Sequence, residues 1–172
     1  MTGEIIETSS TNCIAQSYQL DEAPKLGSVV KLGENGMGVV YEVRTLSLDP
    51  SRKPQALGDG NKNLQKILNE QPQLKSLLRT EFDIRLVGTE GLPDKAPALH
   101  ATVEEGSFED LKKNLSYLRY LKDLPAEVLV KHLKLLAGKD EGLKLKAVRE
   151  LTRLLQKTEW EKVEEVIVRL ES

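Results

Sequence analysis

A glycine-rich stretch near the amino terminus is the part of the chain that comes nearest to a chemical motif. Residues 31–43 read KLGENGMGVVYEV, close to the G-x-G-x-x-G-x-V loop with which protein kinases cover the phosphates of ATP. Such a loop turns its backbone amides towards the phosphates, and a lysine in the next strand grips them. Here Asn35 stands where the middle glycine belongs, and the next basic residues, Arg52 and Lys53, lie between two prolines. The stretch therefore predicts no kinase site.

The other residues that kinase chemistry needs are also missing. The sequence contains neither His-Arg-Asp nor Asp-Phe-Gly, which supply the general base and the magnesium ligands. The glycine stretch instead indicates a β-hairpin, because an Asn-Gly dipeptide such as Asn35-Gly36 favours the positive φ angles of a tight hairpin turn. We therefore expect a strand on each side of this turn.

The sequence offers few residues for hydrolysis, phosphate binding or metal binding. It contains no G-x-x-x-x-G-K-[ST] and no G-x-S-x-G pattern, Cys13 is the only cysteine, and His100 and His132 are not spaced as a metal-binding pair. We expect His100 to lie exposed on the polar face of a strand, and His132 to lie in a helix and pack at the margin of its apolar side. The sequence thus predicts a protein that is not an enzyme and that has no cofactor and no metal.

A basic stretch in the carboxy-terminal part is the main indication of a nucleic-acid partner. The candidates for phosphate contact are Lys131, Lys134, Lys144, Lys146, Arg149 and Arg153. The net charge of the whole chain is only −2, and residues 131–157 include no Phe, Trp or Tyr on which bases could stack. Direct nucleic-acid binding through 131–157 is therefore the alternative prediction, and a solvated helix face is the simpler one.

The elements that must position these residues follow two different periods. Up to about residue 105, apolar and polar residues alternate, as expected of strands with one buried face. The alternating segments are 3–10, 12–19, 28–32, 37–48, 81–88 and 98–105. In the fourth segment Val39, Tyr41 and Val43 would share one face. Six such strands predict a small closed antiparallel β-barrel, which has no open edge, or alternatively a two-sheet sandwich.

Helical periodicity marks two other regions. Residues 61–79 carry apolar residues at spacings of three and four, which predicts a helical insertion in the barrel, with a second short helix that begins at Pro72. From Ser107 onwards the same spacing predicts four helices, at about 107–123, 125–138, 140–157 and from Thr158 to the end. The fold class is thus α+β, with a barrel domain over 1–106 and a helical domain over 107–172.

The composition limits the class of protein. The chain has 172 residues, of which 39% are hydrophobic and only 4% aromatic, so its core must be built from Leu, Val, Ile and Ala. A single cysteine allows no intrachain disulfide, and the acidic start MTGEIIETSS does not look like a signal peptide. We therefore expect a cytoplasmic protein without a membrane span.

Four stretches of the amino-terminal part suggest a family. They are GEIIETSSTNCIAQS, APKLGSVVKLGENGMGVVYEV, FDIRLVGTEG and LPDKAPALHATV. Together they resemble a HAS barrel, the small β-barrel shared by HerA-type DNA translocases and the amino-terminal domains of ATP synthase catalytic-core subunits. The recurring family positions would be occupied by Gly3, Leu26, Gly27, Val29, Val30, Gly38, Val40 and Val43. The resemblance covers about residues 1–105.

The chain departs from the family in the domain that comes after the barrel. In the translocases that domain is a P-loop ATPase, whereas here it is helical and no nucleotide-binding motif is present. In those machines the barrel packs against neighbouring barrels and docks other proteins. The resemblance therefore implies an assembly or docking module without a motor.

We accordingly expect a non-enzymatic adaptor or regulator that binds a nucleic-acid-processing enzyme or an ATPase assembly, and self-association would also fit. The candidate contact surfaces are the strand edges near 28–48 and the apolar stripe around Trp160. The candidate protein-binding residues are Val39, Tyr41, Tyr117, Tyr120, Trp160 and Val163.

Overall fold

Strands form in all six segments that show the alternating pattern. The computed structural model describes residues 2–34, 36–49, 51, 63–155 and 160–171. The strands are β1 (Gly3–Thr8), β2 (Asn12–Ser17), β3 (Val29–Leu32), β4 (Gly36–Ser47), β5 (Leu78–Val87) and β6 (Thr102–Glu105).

The six strands close into one antiparallel barrel in the order β1-β2-β5-β4-β3-β6. Strand β6 completes the circle, because it pairs with β3 on one side and with β1 on the other. The buried interior consists of Ile5, Cys13, Ala15, Val30, Leu32, Val40, Phe82, Ile84, Leu86 and Val103. The prediction of a closed six-stranded barrel is thus confirmed, and the sandwich alternative is wrong.

The hairpin that the glycine stretch predicts connects β3 and β4, where Leu32 pairs with Gly36. A positive φ of 60° lies at Gly33 within this turn. The prediction assigned positive φ angles to Asn35 and Gly36 instead. Asn35 lies outside the described residues, and the prediction is wrong for Gly36, which begins β4 without a positive φ. The glycine stretch is therefore a strand connection, as expected.

Two strand boundaries differ from the predicted ones by more than two residues. Strand β5 begins at Leu78 rather than at residue 81, which lengthens its ladder with β4. Strand β6 begins only at Thr102, because residues 98–101 form a turn in which His100 has a φ of 62°. The side chain of His100 is 75% exposed, and Nδ1 lies 3.2 Å from Oε1 of Glu4. His100 is thus exposed, but in a turn and not on a strand face.

Helices occupy the insertion and the carboxy-terminal part. They are α1 (Leu64–Glu70), α2 (Glu109–Lys113), α3 (Ala126–Ala137), α4 (Glu141–Leu154) and α5 (Trp160–Glu171), with 3₁₀ segments at Pro72–Ser76 and Leu115–Tyr120. Pro72 opens the 3₁₀ segment of the insertion, as predicted. The carboxylate of Asp140 caps α4 by accepting a hydrogen bond from Leu143 N (2.9 Å). None of the helices in the described ranges is long and apolar enough to cross a bilayer.

The prediction of one helix over 107–123 is wrong. Helix α2 ends at Lys113, and a 3₁₀ segment follows it. Asn114 adopts an extended conformation, and its side chain accepts a hydrogen bond from Ser116 N (3.0 Å) and donates one to the carbonyl of Thr89 (3.0 Å). Asn side chains compete in this way with the hydrogen bonds of a helix. The chain therefore restarts as a 3₁₀ segment in a new direction.

The carboxy-terminal helices pack against the outside of the barrel. Val29, Val39 and Val87, from three different strands, are at most 2% exposed and belong to the same buried cluster as the helices. Their helical neighbours in this cluster include Leu111, Tyr117, Leu118, Leu121, Leu129, Leu133, Leu136, Leu151, Val163 and Leu170. Burying a side chain of this size stabilises the fold by about 1.5–3 kcal/mol, so the barrel and the helices support each other.

Candidate functional site

Strands β4 and β5 extend beyond the barrel as a two-stranded ribbon. Strand β3 pairs with β4 only as far as Val39, and β2 pairs with β5 only as far as Glu81. The β4–β5 ladder nevertheless continues to the pair Ser47–Leu78. Residues 41–47 of β4 therefore have β5 on one side and, in the part of the chain that the structure describes, no strand on the other.

Two hydrogen bonds show which backbone groups of β4 face this open side. Leu48 N donates to the carbonyl of Leu77 (2.9 Å) between β4 and β5, and Leu86 N donates to the carbonyl of Thr11 (2.9 Å) on the other side of β5. In an antiparallel ladder, residues that bond to the neighbouring strand alternate with residues that face away from it. The residues of β4 that face away from β5 are consequently Val43, Thr45 and Ser47.

The N–H and C=O groups of these three residues form what we call the free β4 edge. Their amides have no hydrogen-bond acceptor among the described residues. Apolar side chains flank the edge, since Val43 is 41% exposed, Leu48 45% and Leu77 51%. The edge thus combines unpaired backbone groups with accessible apolar surface.

A β-bulge at the base of the ribbon corrects the predicted faces of β4. The register with β5 shifts between Val40 and Glu42, so Tyr41 is an additional residue. Val40 lies in the barrel interior, whereas Val39 faces the helices. Val39 and Tyr41 both contact the cluster between barrel and helices, whereas Val43 pairs with the interior residue Phe82. The prediction that Val39, Tyr41 and Val43 share one face is therefore wrong for Val43, because alternation does not continue through a bulge.

Charged side chains cover the outer face of the ribbon. Nη1 of Arg44 lies 2.8 Å from Oδ2 of Asp83, and its Nη2 lies 3.1 Å from Oε2 of Glu81. Arg79 approaches the other oxygen of Glu81 at 2.6 Å. Glu81 and Asp83 are only 4% and 8% exposed, and carboxylates so far removed from water need close cations. The hydrogen bond to Asp83 is the main reason that the pKa of Arg44 is raised.

Tyr41 lies between the ribbon and the helical domain. It is half-buried, and the guanidinium of Arg85 lies 5.9 Å from the centre of its ring. Nη1 of Arg85 also donates to Oδ2 of Asp123 (3.0 Å), which ties β5 to the segment before α3. Burial raises the pKa of Tyr41, and the charge of Asp83 adds to this effect. The phenol is therefore protonated at neutral pH and acts as a packing group.

The residues predicted to bind a protein partner do not form one surface. Three of them are at most 1% exposed in the core between barrel and helices: Val39, Tyr117 and Val163. A partner cannot reach these three in the folded protein. Tyr41 and Tyr120 are half-buried at the edge of that core. The side chain of Trp160 lies outside the described part of the chain.

The basic residues that were predicted to contact nucleic acid do not form one surface either. Three of them already pair with an acid on the same helix: Lys131 with Glu127 (3.3 Å), Lys144 with Glu141 (3.5 Å) and Arg153 with Glu150 (2.6 Å). At about 100° per residue, Lys144 and Lys146 lie on opposite sides of α4. Lys134, Lys146 and Arg149 are exposed. The stretch 131–157 is thus not a single basic face.

His132 is a buried polar link between the helices and the barrel. Its Nδ1 lies 2.7 Å from the carbonyl oxygen of Gly27, and its Nε2 lies 2.8 Å from the hydroxyl of Tyr117. Because a carbonyl only accepts, Nδ1 carries the proton and Nε2 accepts from the tyrosine hydroxyl. Burial lowers the pKa of His132 to about 4. The ring is therefore neutral at pH 7, and both of its nitrogens are occupied.

The only cysteine of the chain is buried in the barrel interior. Cys13 is 2% exposed inside the barrel, and burial, together with the charge of Asp83, raises the pKa of its thiol to about 12. A thiol in this state is a poor nucleophile at neutral pH. Within the described ranges, no group of three or more His, Cys, Asp or Glu side chains is arranged to hold a metal ion.

Comparisons with known proteins assign no family: no family model and no curated protein matches the chain. The candidate functional site is thus the free β4 edge, with the side chains that support and flank it.

Proposed function

We propose that the protein is a non-enzymatic adaptor that binds a protein partner by adding a strand of that partner to the free β4 edge. A strand edge with unpaired N–H and C=O groups is a template for another chain, and extended peptides bind such edges through main-chain hydrogen bonds. Proteins that block such an edge often do so with proline or lysine. Strand β4 contains neither, and its β-bulge at Tyr41 lies before the three edge residues.

The ribbon is held in a fixed conformation on both of its faces, which favours strand addition. On the outer face, Arg44 bridges two acids of β5. On the opposite face, the hydroxyl of Thr45 donates to Oδ1 of Asp21 (2.6 Å) and lies 2.9 Å from the hydroxyl of Thr80. Asp21 N in turn donates to the hydroxyl of Thr80 (2.7 Å). An edge that is ordered before binding loses less conformational entropy when a partner docks.

The resemblance of residues 1–105 to a HAS barrel supports the class of partner. Barrels of that kind dock other proteins onto nucleic-acid-processing and ATP-driven machines. We therefore propose a cytoplasmic nucleic-acid-processing enzyme or ATPase assembly as the partner, with this chain as its regulator. Direct nucleic-acid binding through 131–157 is the competing proposal.

Substitution of Val43 by proline tests the proposal. Because the amide of Val43 faces away from β5, proline removes an edge donor without removing a β4–β5 hydrogen bond. The matched control is Val43→Thr, which keeps both the amide and a β-branched side chain. Far-UV circular dichroism establishes that each variant is folded.

The measurement is affinity capture from a nuclease-treated native lysate, read by mass spectrometry. We expect the wild type and Val43→Thr to retain the same protein, and Val43→Pro to retain it at least about tenfold less, in line with the loss of edge pairing. Equal capture by Val43→Pro would contradict the role of the edge. The same capture is repeated from an untreated lysate. If proteins are captured only without nuclease, nucleic-acid binding would be favoured instead.

A further inference from the structure

A second surface with different chemistry lies between the loop before β3 and helix α3. It is an open groove of about 420 Å³, lined by Lys25, Leu26, Lys131, Lys134 and Leu135. Leu26 and Leu135 form an apolar floor, and Leu135 is 40% exposed. The other three lining residues are lysines, and we call them the rim.

We infer that this groove binds an acidic segment of a partner protein. An apolar side chain of that segment would lie between Leu26 and Leu135, and its carboxylates would contact the lysines. The groove shares no residue with the free β4 edge. It would therefore give the chain a second, independent contact, which is what an adaptor needs in order to hold two proteins.

The groove lies on a fixed junction of the fold. The Nδ1–H of His132 donates to the carbonyl of Gly27 (2.7 Å). A Cβ atom at Gly27 would lie only 2.7 Å from His132 N, so the loop is in direct contact with α3. The loop residues Lys25 and Leu26 directly precede this contact. The loop and the helix that carry the floor and the rim are thus held against each other before a partner arrives.

The charge of the rim favours an acidic partner. Lys25 and Lys134 are exposed and have no ion-pair partner within the described ranges. Lys131 lies 3.3 Å from Glu127, but both side chains are about half exposed or more, so water screens this pair. A carboxylate from a partner can replace Glu127 at little cost.

The floor argues against a nucleic acid as the occupant. A nucleic-acid backbone has no aliphatic side chain to place between Leu26 and Leu135. The lining of the groove also contains no aromatic residue on which a base could stack. An acidic segment with an aliphatic residue satisfies both the rim and the floor.

Fluorescence anisotropy with the full chain tests this inference. The probe is a fluorescein-labelled synthetic peptide with the repeating pattern Glu-Glu-Leu. A second peptide has serine in place of each leucine, and a third probe is labelled single-stranded DNA. The groove variant carries Lys131→Glu and Lys134→Glu. Its matched control carries Lys146→Glu and Arg149→Glu, the same charge change at exposed positions of α4.

We expect the groove variant to raise the Kd of the leucine-containing peptide at least about tenfold, and the control to raise it less than about threefold. The serine peptide and a Leu135→Ser variant should each bind several-fold more weakly. Circular dichroism establishes that all variants are folded.

Several results would overturn the inference. Equal losses in both double variants would show an effect of overall charge only. Equal binding of the serine peptide would show that the floor is not used, and tighter binding of DNA with the same variant dependence would assign the groove to nucleic acid. Absence of peptide binding would reject the inference about the groove but not the proposal about the free β4 edge. Val43→Pro tests that edge separately and leaves the groove intact.

Discussion

At the scale of single residues, His132 has the environment with the clearest energetic consequence. Its ring is fully buried, neutral, and hydrogen-bonded to Gly27 and Tyr117. The sequence predicted that this histidine packs at the margin of a helix, and that is wrong, because the residue is fully buried. It could not predict the partner at Gly27, which lies 105 positions earlier in the chain, because helical periodicity indicates that a residue is buried but not what it contacts.

Acid should therefore destabilise the fold through His132. In the unfolded chain the imidazole takes up a proton as the pH falls past its ordinary pKa of 6.5. In the folded protein it does so only when the pH falls to about 4. Between these values the unfolded state binds more protons, so stability falls as the pH is lowered. We expect His132 to account for a loss of about 2 kcal/mol in the free energy of unfolding between pH 7 and pH 5.

The measurement is urea unfolding of the wild type and of His132→Gln at both pH values. The variant should be less stable than the wild type at pH 7 but should lose less stability on acidification. An equal loss in both proteins would show that His132 does not couple folding to pH.

Gly27 is the residue at which the loop before β3 contacts α3. It has a φ of 83°, and an added Cβ would lie 2.7 Å from His132 N, which is backbone and cannot move aside. We expect Gly27→Ala to lower the free energy of unfolding by about 3 kcal/mol, from strain and overlap together.

Gly138 provides the control for this prediction. It has a φ of 56°, but nothing lies within 4 Å of an added Cβ. Gly138→Ala should therefore cost only the conformational strain, about 2 kcal/mol at a φ of 56° and a ψ of −114°, which residues other than glycine rarely adopt, and less than Gly27→Ala. Similar costs at both positions, measured by chemical unfolding, would mean that the contact with α3 is not tight.

At the scale of elements, the cross-strand ions of β4 and β5 hold the ribbon together. The alternation of residues 81–88 predicts that Asp83 and Arg85 lie together on the polar face of their strand. It did not predict that Glu81 and Asp83 are buried beneath Arg44, because that depends on the register between two strands that are far apart in the chain. The register is itself shifted by the bulge at Tyr41, which alternation does not reveal.

Removal of Arg44 should destabilise the ribbon strongly. Arg44→Ala leaves two buried carboxylates without their shared cation, and we expect a loss of roughly 3 kcal/mol in the free energy of unfolding. Arg153 also pairs with an acid, Glu150, at 2.6 Å, but its side chain is 67% exposed. Arg153→Ala should consequently leave the urea midpoint unchanged. Comparable shifts of the midpoint in the two variants would contradict the role of burial.

At the scale of the whole molecule, the sequence predicted a barrel domain and a helical domain. In the structure, residues of both parts belong to one buried cluster. The alternating and helical periods were sufficient for the α+β class and for the closed barrel, because each strand has one apolar face that must be covered. They did not predict that outward residues such as Val29 and Val39 pack against the helices. They also predicted contact at the strand edges near 28–48. They did not show that, among the described residues, the open part of β4 begins beyond Val40, since this depends on where β3 ends.

The shared cluster predicts that barrel and helices unfold together. Val39→Ala leaves a cavity between them and should lower the free energy of unfolding by about 2 kcal/mol. Far-UV circular dichroism reports mainly on the helices, and labelling of the single thiol, Cys13, reports on the barrel interior. We expect coincident urea transitions for both signals, shifted equally by the substitution. Separate transitions would show that the two parts are independent.

Amide hydrogen exchange, resolved for each residue of β4, tests the central claim most directly. In the free protein we expect fast exchange at Val43, Thr45 and Ser47, and slow exchange at Arg44 and Leu46, whose amides face β5. When the captured partner is added, the three fast amides should become protected. Slow exchange at Val43, Thr45 and Ser47 in the free protein, or unchanged fast exchange in the complex, would contradict the account of β4 as an open edge that accepts a partner strand.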